Sequence, residues 1–354
     1  MNKEKKCLFI HSVPLNGGYG GSKRTYQNYT GLMSNYICDD YYIEYIPNKI
    51  KSFLNAIIFG LRSITIIDEI RIANMIKKGH YDFVFLNSSL FGHLAKLIRK
   101  KYPNMMIYIH FHNYEKKFYE DWSYKKNILY KIVSKIAYYN EKMSAKYSNN
   151  QIFISKEDKS SVCSEYKINL DNSIIIPVAL KDYYTKSSNT VEHNPYVLFL
   201  GSNFYANNKA VEYLINNVAP FVNKQIMIVG KGMKSVFGDK YNNVIVYDYA
   251  PSLIDILNNA VAFVSPVFFG SGSKIKIAEA LMFGKHIIGS KDSFNGYDTT
   301  KLDVTICSEA SDFVDAINKL DASNTFYEKN RIEFNESHNI DNTLFYYNFD
   351  EMFR

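Results

Sequence analysis

Glycines, serines and a lysine stand together in FFGSGSKIKIAEALMFGKHIIGS, residues 268–290, directly before a run with the composition of a buried helix. The first backbone N–H groups of a helix have no partner within the helix, and they attract anions. Gly272, Ser273 and Lys274 would present such N–H groups and one ammonium at the helix N-terminus. This combination predicts a cradle for a phosphate group.

The same stretch contains one glutamate where apolar residues would be expected. Glu279 has Ile275 four residues before it and Met282 three residues after it, so these neighbours on the helix face are apolar. One interpretation is an ion pair with Lys276, three residues earlier. The other is a carboxylate at the edge of a pocket, where its two oxygens accept hydrogen bonds from the two hydroxyls of a ribose.

A second set of glycines follows the first apolar run, in PLNGGYGGSKR. Gly17 and Gly18 allow the backbone to approach a ligand, and a helix starting near Ser22 would point its N–H groups at the loop. Two nucleotide-binding patterns are missing: Lys23 replaces the last glycine of G-x-G-x-x-G, and no phosphate loop ending in G-K-[ST] is present. We interpret the loop as a site of anion approach, with a turn that binds no ligand as the alternative.

A third candidate is IYIHFHNYE, where histidines stand at the end of an apolar run. His110 and His112 would share one strand face, because strand side chains alternate. Together with Glu115 they could in principle bind a metal, but their spacing matches no metal-binding motif, and we predict no metal site. The position at a strand end makes a functional role for His112 as credible as a structural one.

Length and composition narrow the class of protein. A chain of 354 residues suggests two domains. No apolar run approaches the roughly 18–20 residues needed to cross a bilayer, and the first residues lack the apolar core of a signal peptide, so we expect a cytoplasmic protein. The four cysteines are far apart and predict neither disulfides nor a zinc site. A net charge of +7 suits anionic partners, or is simply that of a basic soluble protein; we expect no nucleic acid, because no binding motif is present.

The elements that would position these residues alternate along the chain. Near-continuous apolar runs, typical of parallel strands covered on both faces, alternate with helical patterns, and this order predicts an α/β fold. The strand candidates are KCLFIHS, YYIEYIP, YDFVFLN, NMMIYIHF, NQIFIS and SIIIPV in the first half, and YVLFLGS, QIMIVGK, NVIVYDY, VAFVSPV and KHIIGS in the second. Open parallel sheets bind ligands at the carboxyl ends of their strands, which is where all three candidate segments would lie.

A polar, aperiodic stretch, KDYYTKSSNTVEHN, predicts a linker over residues 181–194. We expect one Rossmann-like α/β domain over residues 1–180 and another over residues 195–335. A C-terminal helix over residues 336–354 would follow, with the first domain as one place for it to pack.

Residues 268–290 resemble the nucleotide-binding motif of the retaining glycosyltransferases of family 4, which have the GT-B fold. Other segments resemble that family in the same order, among them YVLFLGSNFYANNKAVEYLINNVAPF, IMIVGKGMK and VIVYDYAPSLIDILNNAVAFVSPV, while HFHNYE resembles the segment with the family's active-site histidine. The resemblance is specific over roughly residues 190–298, and weaker but collinear over residues 1–180. The usual motif has two glutamates separated by seven residues; Ser271 stands at the first position, as in the GSG form of the motif.

This resemblance implies two Rossmann-like domains facing an interdomain cleft, the first on the acceptor side and the second binding a nucleotide sugar. It implies transfer of a sugar from a nucleoside-diphosphate donor to an acceptor hydroxyl with retention, without a metal or another cofactor. By this resemblance Glu279 would bind the ribose, while Gly272, Ser273 and Lys274 would bind the diphosphate with Lys209 as a second cation. Ser271 would contact the sugar, and His112 would contact the transferred sugar. Gly17 and Gly18 would approach the diphosphate or the acceptor.

A glycan or lipid-linked acceptor would suit the assembly of a bacterial surface polysaccharide or glycoconjugate. Residues 123–150 have six lysines among apolar and aromatic residues. One interpretation is a segment that lies on an anionic membrane surface, at the inner face of the cell membrane. The other, which we favour, is a lysine-rich helix with one buried face. Two other functions stay open: a nucleotide-sugar epimerase of the GT-B fold, and a non-catalytic nucleotide-sugar-binding homologue.

Overall fold

The chain divides into two units. The computed structural model describes residues 5–16, 20–61, 63–123, 128–186, 195–238, 242–250, 252–268 and 274–353, without the side chains of residues 20, 122, 123 and 128–130. Unit 1 comprises Met1–Ala179 and Thr343–Arg354, and unit 2 comprises Leu180–Asn342.

Unit 1 is built on a sheet of six parallel strands. They are β1 (Lys6–His11), β2 (Ile37–Tyr42), β3 (Phe83–Leu86), β4 (Met106–Phe111), β5 (Asn150–Phe153) and β6 (Ser173–Ile175). Their order across the sheet is β2-β1-β3-β4-β5-β6. The direction of the connections reverses between β1 and β3, so the carboxyl ends of these two strands form a topological switch point.

Helices connect these strands. They are α1 (Gly20–Asn35), α2 (Lys49–Phe59), α3 (Ile66–Gly79), α4 (Gly92–Lys101), α5 (Glu115–Ser123), α6 (Ile128–Tyr147) and α7 (Lys156–Tyr166). Side chains alternate along β1, so Leu8 and Ile10 join one core layer while Cys7 and Phe9 join the layer on the opposite face of the sheet.

The C-terminal segment completes the second of these layers. Tyr347 and Phe349 pack in the core layer of Cys7 and Phe9. The Tyr347 hydroxyl donates to Asn28 Oδ1 on α1 at 2.7 Å. The segment forms short pieces rather than one helix: a π-helical turn (Phe334–His338), α14 (Ile340–Thr343), a 3-10 turn (Leu344–Tyr347) and α15 (Phe349–Met352).

Unit 2 also has six parallel strands. They are β7 (Tyr196–Leu200), β8 (Gln225–Val229), β9 (Val244–Tyr247), β10 (Ala262–Ser265), β11 (His286–Ser290) and β12 (Val304–Cys307). Their order is β12-β11-β10-β7-β8-β9. Counted from β7 along the chain this is the order 3-2-1-4-5-6 of a Rossmann sheet, whose switch point lies between its first and fourth strands.

The helices of unit 2 lie between these strands and after them. They are α8 (Tyr205–Tyr213), α9 (Met233–Phe237), α10 (Leu253–Asn259), α11 (Ile275–Met282), α12 (Ala310–Lys319) and α13 (Glu328–Glu333). Across the part of the chain that the structure describes, no helix combines the length and apolar character needed to span a membrane.

The predicted α/β class with two Rossmann-like parallel sheets is confirmed, whereas one strand prediction was wrong and one strand was not predicted. The second strand was predicted as YYIEYIP, but β2 covers ICDDYY, because pairing of Lys6 with Ile37 and of His11 with Tyr42 sets its register against β1. β12 was not predicted. It is a short edge strand, VTIC, whose partly exposed residues lack a continuous apolar run.

Candidate functional site

The switch point of unit 2 lies between β7 and β10, which are neighbours in the sheet. The chain after β7 passes through residues 201–204 into α8, and the chain after β10 leads toward α11. Open α/β sheets bind ligands at such a point, outside the carboxyl ends of the strands. The residues predicted to bind the donor belong to these two connections.

The start of α11 is fixed by contacts of Lys274, the half-buried residue before the first helical turn. The Lys274 carbonyl accepts hydrogen bonds from the Tyr297 hydroxyl at 2.8 Å and from the Ile277 N–H at 2.9 Å. The Lys274 side chain does not cap the helix. The first N–H groups of α11 and the positive end of its dipole therefore favour an anion at this edge of the sheet.

The Glu279 side chain lies within α11 and has no exposed surface. Its Oε2 accepts a hydrogen bond from the Lys276 ammonium at 2.6 Å, and the Lys276 side chain is 41 % exposed. The ion pair that the spacing suggested is therefore present, and the carboxylate is not solvated. Because an unpaired buried charge is costly, the Lys276 ammonium stabilises the ionised form of this buried carboxylate.

The charge of Glu279 affects the pKa values of two nearby tyrosine hydroxyls. Burial raises the pKa of the Tyr297 hydroxyl, and the negative charge of Glu279 raises it further. Burial and then Glu279 raise the pKa of the Tyr183 hydroxyl in the same way. Within the described ranges the Tyr183 hydroxyl has no hydrogen-bond partner. Both hydroxyls thus keep their protons at neutral pH, and the Tyr183 hydroxyl can donate a hydrogen bond near the carboxylate.

Three buried serines hold the beginning of the connection after β10. Ser293 Oγ lies 3.1 Å from Ser265 Oγ and 3.1 Å from Ser290 Oγ, and it donates to the Ser265 carbonyl. Ser290 Oγ donates to the carbonyl of Val267, whose N–H donates to Ser293 Oγ at 3.4 Å. Sequence reasoning missed this cluster; the available signal was that Ser265 and Ser290 end adjacent strands.

The predicted second cation, Lys209, lies on α8, after β7. Its ammonium is exposed and bonds to Glu212 at 2.6 Å. Lys209 lies in the connection after β7, as predicted. The neighbouring Glu212 carboxylate partly neutralises its charge. The preceding loop is fixed by close backbone packing, because a Cβ at Gly230 would lie 1.9 Å from the Gly201 carbonyl oxygen.

In unit 1, His112 follows β4 at the carboxyl edge of the sheet and is half-buried. Its Nε2 donates to the carbonyl oxygen of Asn87 at 2.7 Å. A carbonyl can only accept, so Nε2 carries a hydrogen and Nδ1 is the acceptor atom of the neutral ring. The ring stands edge-on to His110, with centroids 4.3 Å apart and planes at 87°.

Asn87 is the residue that orients His112, and sequence reasoning missed it. It follows β3, and its side chain is anchored on α1: Nδ2 donates to Thr25 Oγ1 at 3.0 Å, and Oδ1 accepts from Asn28 Nδ2 at 2.6 Å. The switch point of this sheet is thus tied together by hydrogen bonds from the ends of β3 and β4 and from α1. Its place at a strand end was the signal that could have identified Asn87.

Glu141 on α6 caps α5, the helix that follows the histidine segment. Its carboxylate accepts the N–H groups of Glu115 and Lys116, each at 3.0 Å, and the hydroxyls of Ser89 at 3.2 Å and Tyr166 at 2.7 Å. Burial, followed by the charge of Glu115, raises the pKa of Glu141 to about 8. The four donors favour the ionised form, whereas the buried surroundings oppose it. Sequence spacing carried no signal for this cap, which joins residues on separate helices.

Arg24 on α1 is a buried cation whose hydrogen-bond partners are neutral. Its guanidinium donates to His110 Nε2 at 2.8 Å, to the carbonyls of Ile176 and Pro177 at 2.7 Å, and to Gln27 Oε1 at 2.5 Å. His110 is fully buried, and burial, His112 and Arg24 all lower its pKa. His110 is therefore a neutral core residue that accepts at Nε2. Of the two histidines, His112 is the one with exposed surface at the carboxyl edge of the sheet.

Some predicted site residues lie outside the described residues, namely Gly17, Gly18, Ser271, Gly272 and Ser273. Among the residues that the structure does describe, no three His, Cys, Asp or Glu side chains come together as metal ligands. The described side chains of α6 include a buried face with Ser134, Ala137 and Glu141, and exposed lysines elsewhere. This matches the favoured interpretation of residues 123–150, a lysine-rich helix with one buried face.

Solved structures with the same fold include several glycosyltransferases. The lipopolysaccharide outer core galactosyltransferase WaaB, in its apo form, aligns with a TM-score of 0.67 over 98 % of each chain at 15 % identity. Anabaena HepE in complex with UDP-glucose aligns with a TM-score of 0.63 over 96 % of this chain and 97 % of that one, at 12 % identity. A glycosyltransferase from Rickettsia africae aligns with a TM-score of 0.66 over 97 % and 96 % of the chains at 14 % identity. At these identities the similarity shows the fold, which is GT-B.

Sequence comparison gives a more local result. None of the curated proteins matches this sequence significantly. The family model described as Glycosyl transferases group 1 matches residues 194–322, which include β7 to β12 and the switch point of unit 2. Residues 194–322 are therefore similar to the glycosyl transferases group 1 family, within a chain whose fold is of the GT-B type.

Proposed function

We propose that this protein is a retaining glycosyltransferase that moves a sugar from a nucleoside-diphosphate donor to an acceptor hydroxyl. The observation that carries the proposal is the buried Glu279 carboxylate on α11, a helix that begins at the switch point of a Rossmann sheet within the matched domain. A carboxylate held there can accept both hydroxyls of a ribose, while the start of the same helix binds the diphosphate.

Donor binding would require a rearrangement of one ion pair. The ribose hydroxyls would replace the Lys276 ammonium at Glu279, and this is feasible because lysine is a flexible side chain whose ammonium is already partly solvated. Gly272, Ser273 and Lys274 would hold the diphosphate, with Lys209 as a further cation and Ser271 at the sugar. Gly17 and Gly18 of unit 1 would approach the diphosphate or the acceptor.

The main chemical task is to stabilise the charge of the leaving group. As the bond to the sugar breaks, negative charge grows on the diphosphate and positive charge grows on the sugar ring. Fixed N–H groups and the Lys274 ammonium would meet the negative charge without a metal ion. His112, held by Asn87, would contact the transferred sugar near its reacting carbon. We propose that the acceptor hydroxyl attacks this carbon from the face that the diphosphate leaves and gives its proton to a diphosphate oxygen, so that configuration is retained.

Loss of Lys274 tests this assignment. We expect Lys274→Ala to lower the turnover rate by roughly 100-fold, because one preorganised donor to a developing anion typically contributes on the order of 100–1000-fold. Lys291→Ala, an exposed lysine on the next connection of the same sheet, serves as the control and should retain turnover within about twofold. Equal rates for both variants would remove Lys274 from the mechanism. Added EDTA should leave the wild-type rate unchanged.

The donor and the product class draw support from relatives of the same fold. HepE is described in complex with UDP-glucose, and WaaB as a lipopolysaccharide outer core galactosyltransferase. We propose a UDP-sugar as the first donor to test, and a glycan or lipid-linked acceptor in bacterial surface polysaccharide or glycoconjugate assembly. The reaction would take place in the cytoplasm, at the inner face of the membrane.

The proposal is tested by a thermal-shift screen of nucleotide sugars, followed by NMR of any donor that binds. A donor at 100 times its dissociation constant should stabilise the native protein by roughly 2.7 kcal/mol. NMR should then show slow release of a nucleoside diphosphate and a free sugar whose first-formed anomer has the configuration of the donor. Conversion of the donor to another nucleotide sugar without acceptor would instead identify an epimerase. Binding without any turnover would identify a non-catalytic homologue.

A further inference from the structure

Helix α2 turns its apolar face outward. Ile50, Leu54, Ile57 and Ile58 recur at the spacing of one helix face, and their side chains are 73 %, 56 %, 55 % and 62 % exposed. On the inner side, Ala56 is buried and Phe59 packs against the core. A helix on the surface of a soluble domain normally has the reverse arrangement.

The next helix extends this apolar surface. Ile66, Ile67 and Ile70, in the first turns of α3, are 55 %, 56 % and 55 % exposed. Asn55 Nδ2 on α2 donates to the Ile64 carbonyl, directly before α3, at 2.7 Å, which ties α2 to the segment that leads into α3. We call these seven residues the α2–α3 patch. Exposed aliphatic side chains in this number on two consecutive helices indicate a binding face.

The charged residues of α2, and the exposed charged residues of α3, are positive. Helix α2 contains no acidic residue, and its first turn has exposed Lys49 and Lys51. The exposed face of α3 continues from Ile70 to Arg71 and then to Lys77 and Lys78. Aliphatic side chains bordered by cations are the pattern of a helix that lies in the interface of an anionic membrane.

The two acidic residues of α3 do not add negative charge to the exposed face that carries these lysines and Arg71. Asp68 accepts hydrogen bonds from Thr65 in the capping box and from the Tyr41 hydroxyl at 2.8 Å. Glu69 is buried, with Oε1 2.9 Å from His93 Nδ1 on α4. Both carboxyl groups are therefore in contact with side chains of unit 1.

The patch lies at the functional edge of unit 1. Helices α2 and α3 form the connection from β2 to β3, and α3 runs back toward the start of β3, so its first turns lie near the carboxyl ends of the strands. The 2.9 Å contact between Glu69 and His93 joins this end of α3 to the first turn of α4, which follows β3 and Asn87. The same edge of the sheet carries His112.

We propose that the α2–α3 patch docks unit 1 onto an anionic phospholipid bilayer, with its aliphatic side chains in the headgroup region and its flanking cations against lipid phosphates. This location differs from residues 123–150, the membrane candidate of the sequence. A second part of the proposal, which rests on the proposed function, is that the docked edge receives an acceptor carried on a membrane lipid.

Vesicle flotation of the full chain tests the docking. The probes are vesicles of phosphatidylcholine alone and vesicles with about a third phosphatidylglycerol. We expect flotation with the anionic vesicles, weaker at high salt because the cations are screened, and little flotation with the neutral ones. Ile57→Asn combined with Ile58→Asn should lower the partition coefficient at least about tenfold, since two aliphatic side chains leave the interface. Phe221→Asn, at an exposed aromatic of unit 2 (66 %), is the matched control and should float like the wild type.

Several results would overturn the proposal. They are absence of flotation, equal flotation on neutral vesicles, and flotation that the double variant leaves unchanged. A dimer in solution that the double variant converts to a monomer, without flotation, would assign the patch to a second copy of the chain. The double variant should melt within a few degrees of the wild type, because both side chains are exposed. Donor binding is measured separately on the same variants, so a protein that floats but binds no nucleotide would refute the proposed function and leave the docking intact.

Discussion

Two histidines separated by one residue have different environments, and hydrogen bonds set the difference. His110 is buried and accepts from the Arg24 guanidinium, whereas His112 donates from Nε2 to the Asn87 carbonyl. The alternation of strand side chains assigns both histidines to the same face of the strand. The sequence pattern therefore could not predict which of them is buried. Glu279 shows the same limit: its spacing correctly suggested Lys276 as a partner, but whether the carboxylate is solvated depends on packing.

At the residue scale we predict that Asn87 is a positioning residue. Asn87→Ala removes both anchors to α1, so the carbonyl that holds His112 becomes free to move. We expect kcat to fall about tenfold or more with little change in KM for the donor, because sub-ångström misplacement near the chemistry is costly. Asn74→Ala, at an exposed asparagine of α3, is the control. A change in KM alone would contradict a positioning role.

Glu141 provides a pH prediction. Its pKa of about 8 in the folded state lies above the ordinary value of 4.5, so the folded protein binds this proton more tightly than the unfolded chain. Stability from this group is therefore fully present below about pH 4.5 and is lost as the pH rises to about 8. The loss is on the order of a few kcal/mol, since one pKa unit corresponds to about 1.4 kcal/mol.

The measurement is the melting temperature between pH 5 and 8.5 for the wild type and for Glu141→Gln. We expect the wild type to lose more stability across this range than the variant, whose side chain cannot ionise. Glu157→Gln, at an exposed position on α7, should keep the wild-type slope. Parallel curves for the wild type and Glu141→Gln would show that the four hydrogen-bond donors keep the carboxylate ionised throughout.

At the element scale, tertiary packing determines the bounds of those strands and helix caps that the sequence pattern does not define. The buried strands are recognisable as apolar runs, and α11 was predicted because an apolar run follows a glycine–serine turn. The edge strands β2 and β12 were misplaced or missed, because one side of each is solvated and its register comes from a neighbour. The cap of α5 by Glu141 joins separate helices, so local spacing could not predict it.

The C-terminal segment yields an element-scale prediction. Tyr347→Phe should lower the free energy of unfolding of unit 1 by about 1–3 kcal/mol, because Asn28 Oδ1 loses its donor in a buried site. Tyr346→Phe, at the adjacent half-buried tyrosine, should change it by less than about 0.5 kcal/mol. Denaturant unfolding monitored by circular dichroism measures both. Equal effects of the two substitutions would show that the segment is not held by this hydrogen bond.

At the scale of the whole molecule, the sequence predicted two Rossmann-like sheets, and the structure confirms them. The segment predicted to bind the donor follows β10, a strand at the switch point of unit 2. The order of strands was not predictable from apolar runs, yet it determines the site: β7 and β10 become neighbours only when the chain reverses direction in the sheet. The helix with Glu279 then begins where a ligand can bind. At this scale the strand order determines where the candidate site lies, and individual side chains provide its chemical groups.

The central claim is that Glu279 binds the nucleotide. Calorimetric titration of UDP and GDP into the wild type, Glu279→Gln and Glu333→Gln tests it most directly, since Glu333 is another buried helical glutamate of unit 2. We predict that one nucleotide binds the wild type, that Glu279→Gln weakens it at least about tenfold through loss of charged hydrogen bonds, and that Glu333→Gln binds within about twofold of the wild type. Equal affinity of Glu279→Gln and the wild type for that nucleotide would contradict the account.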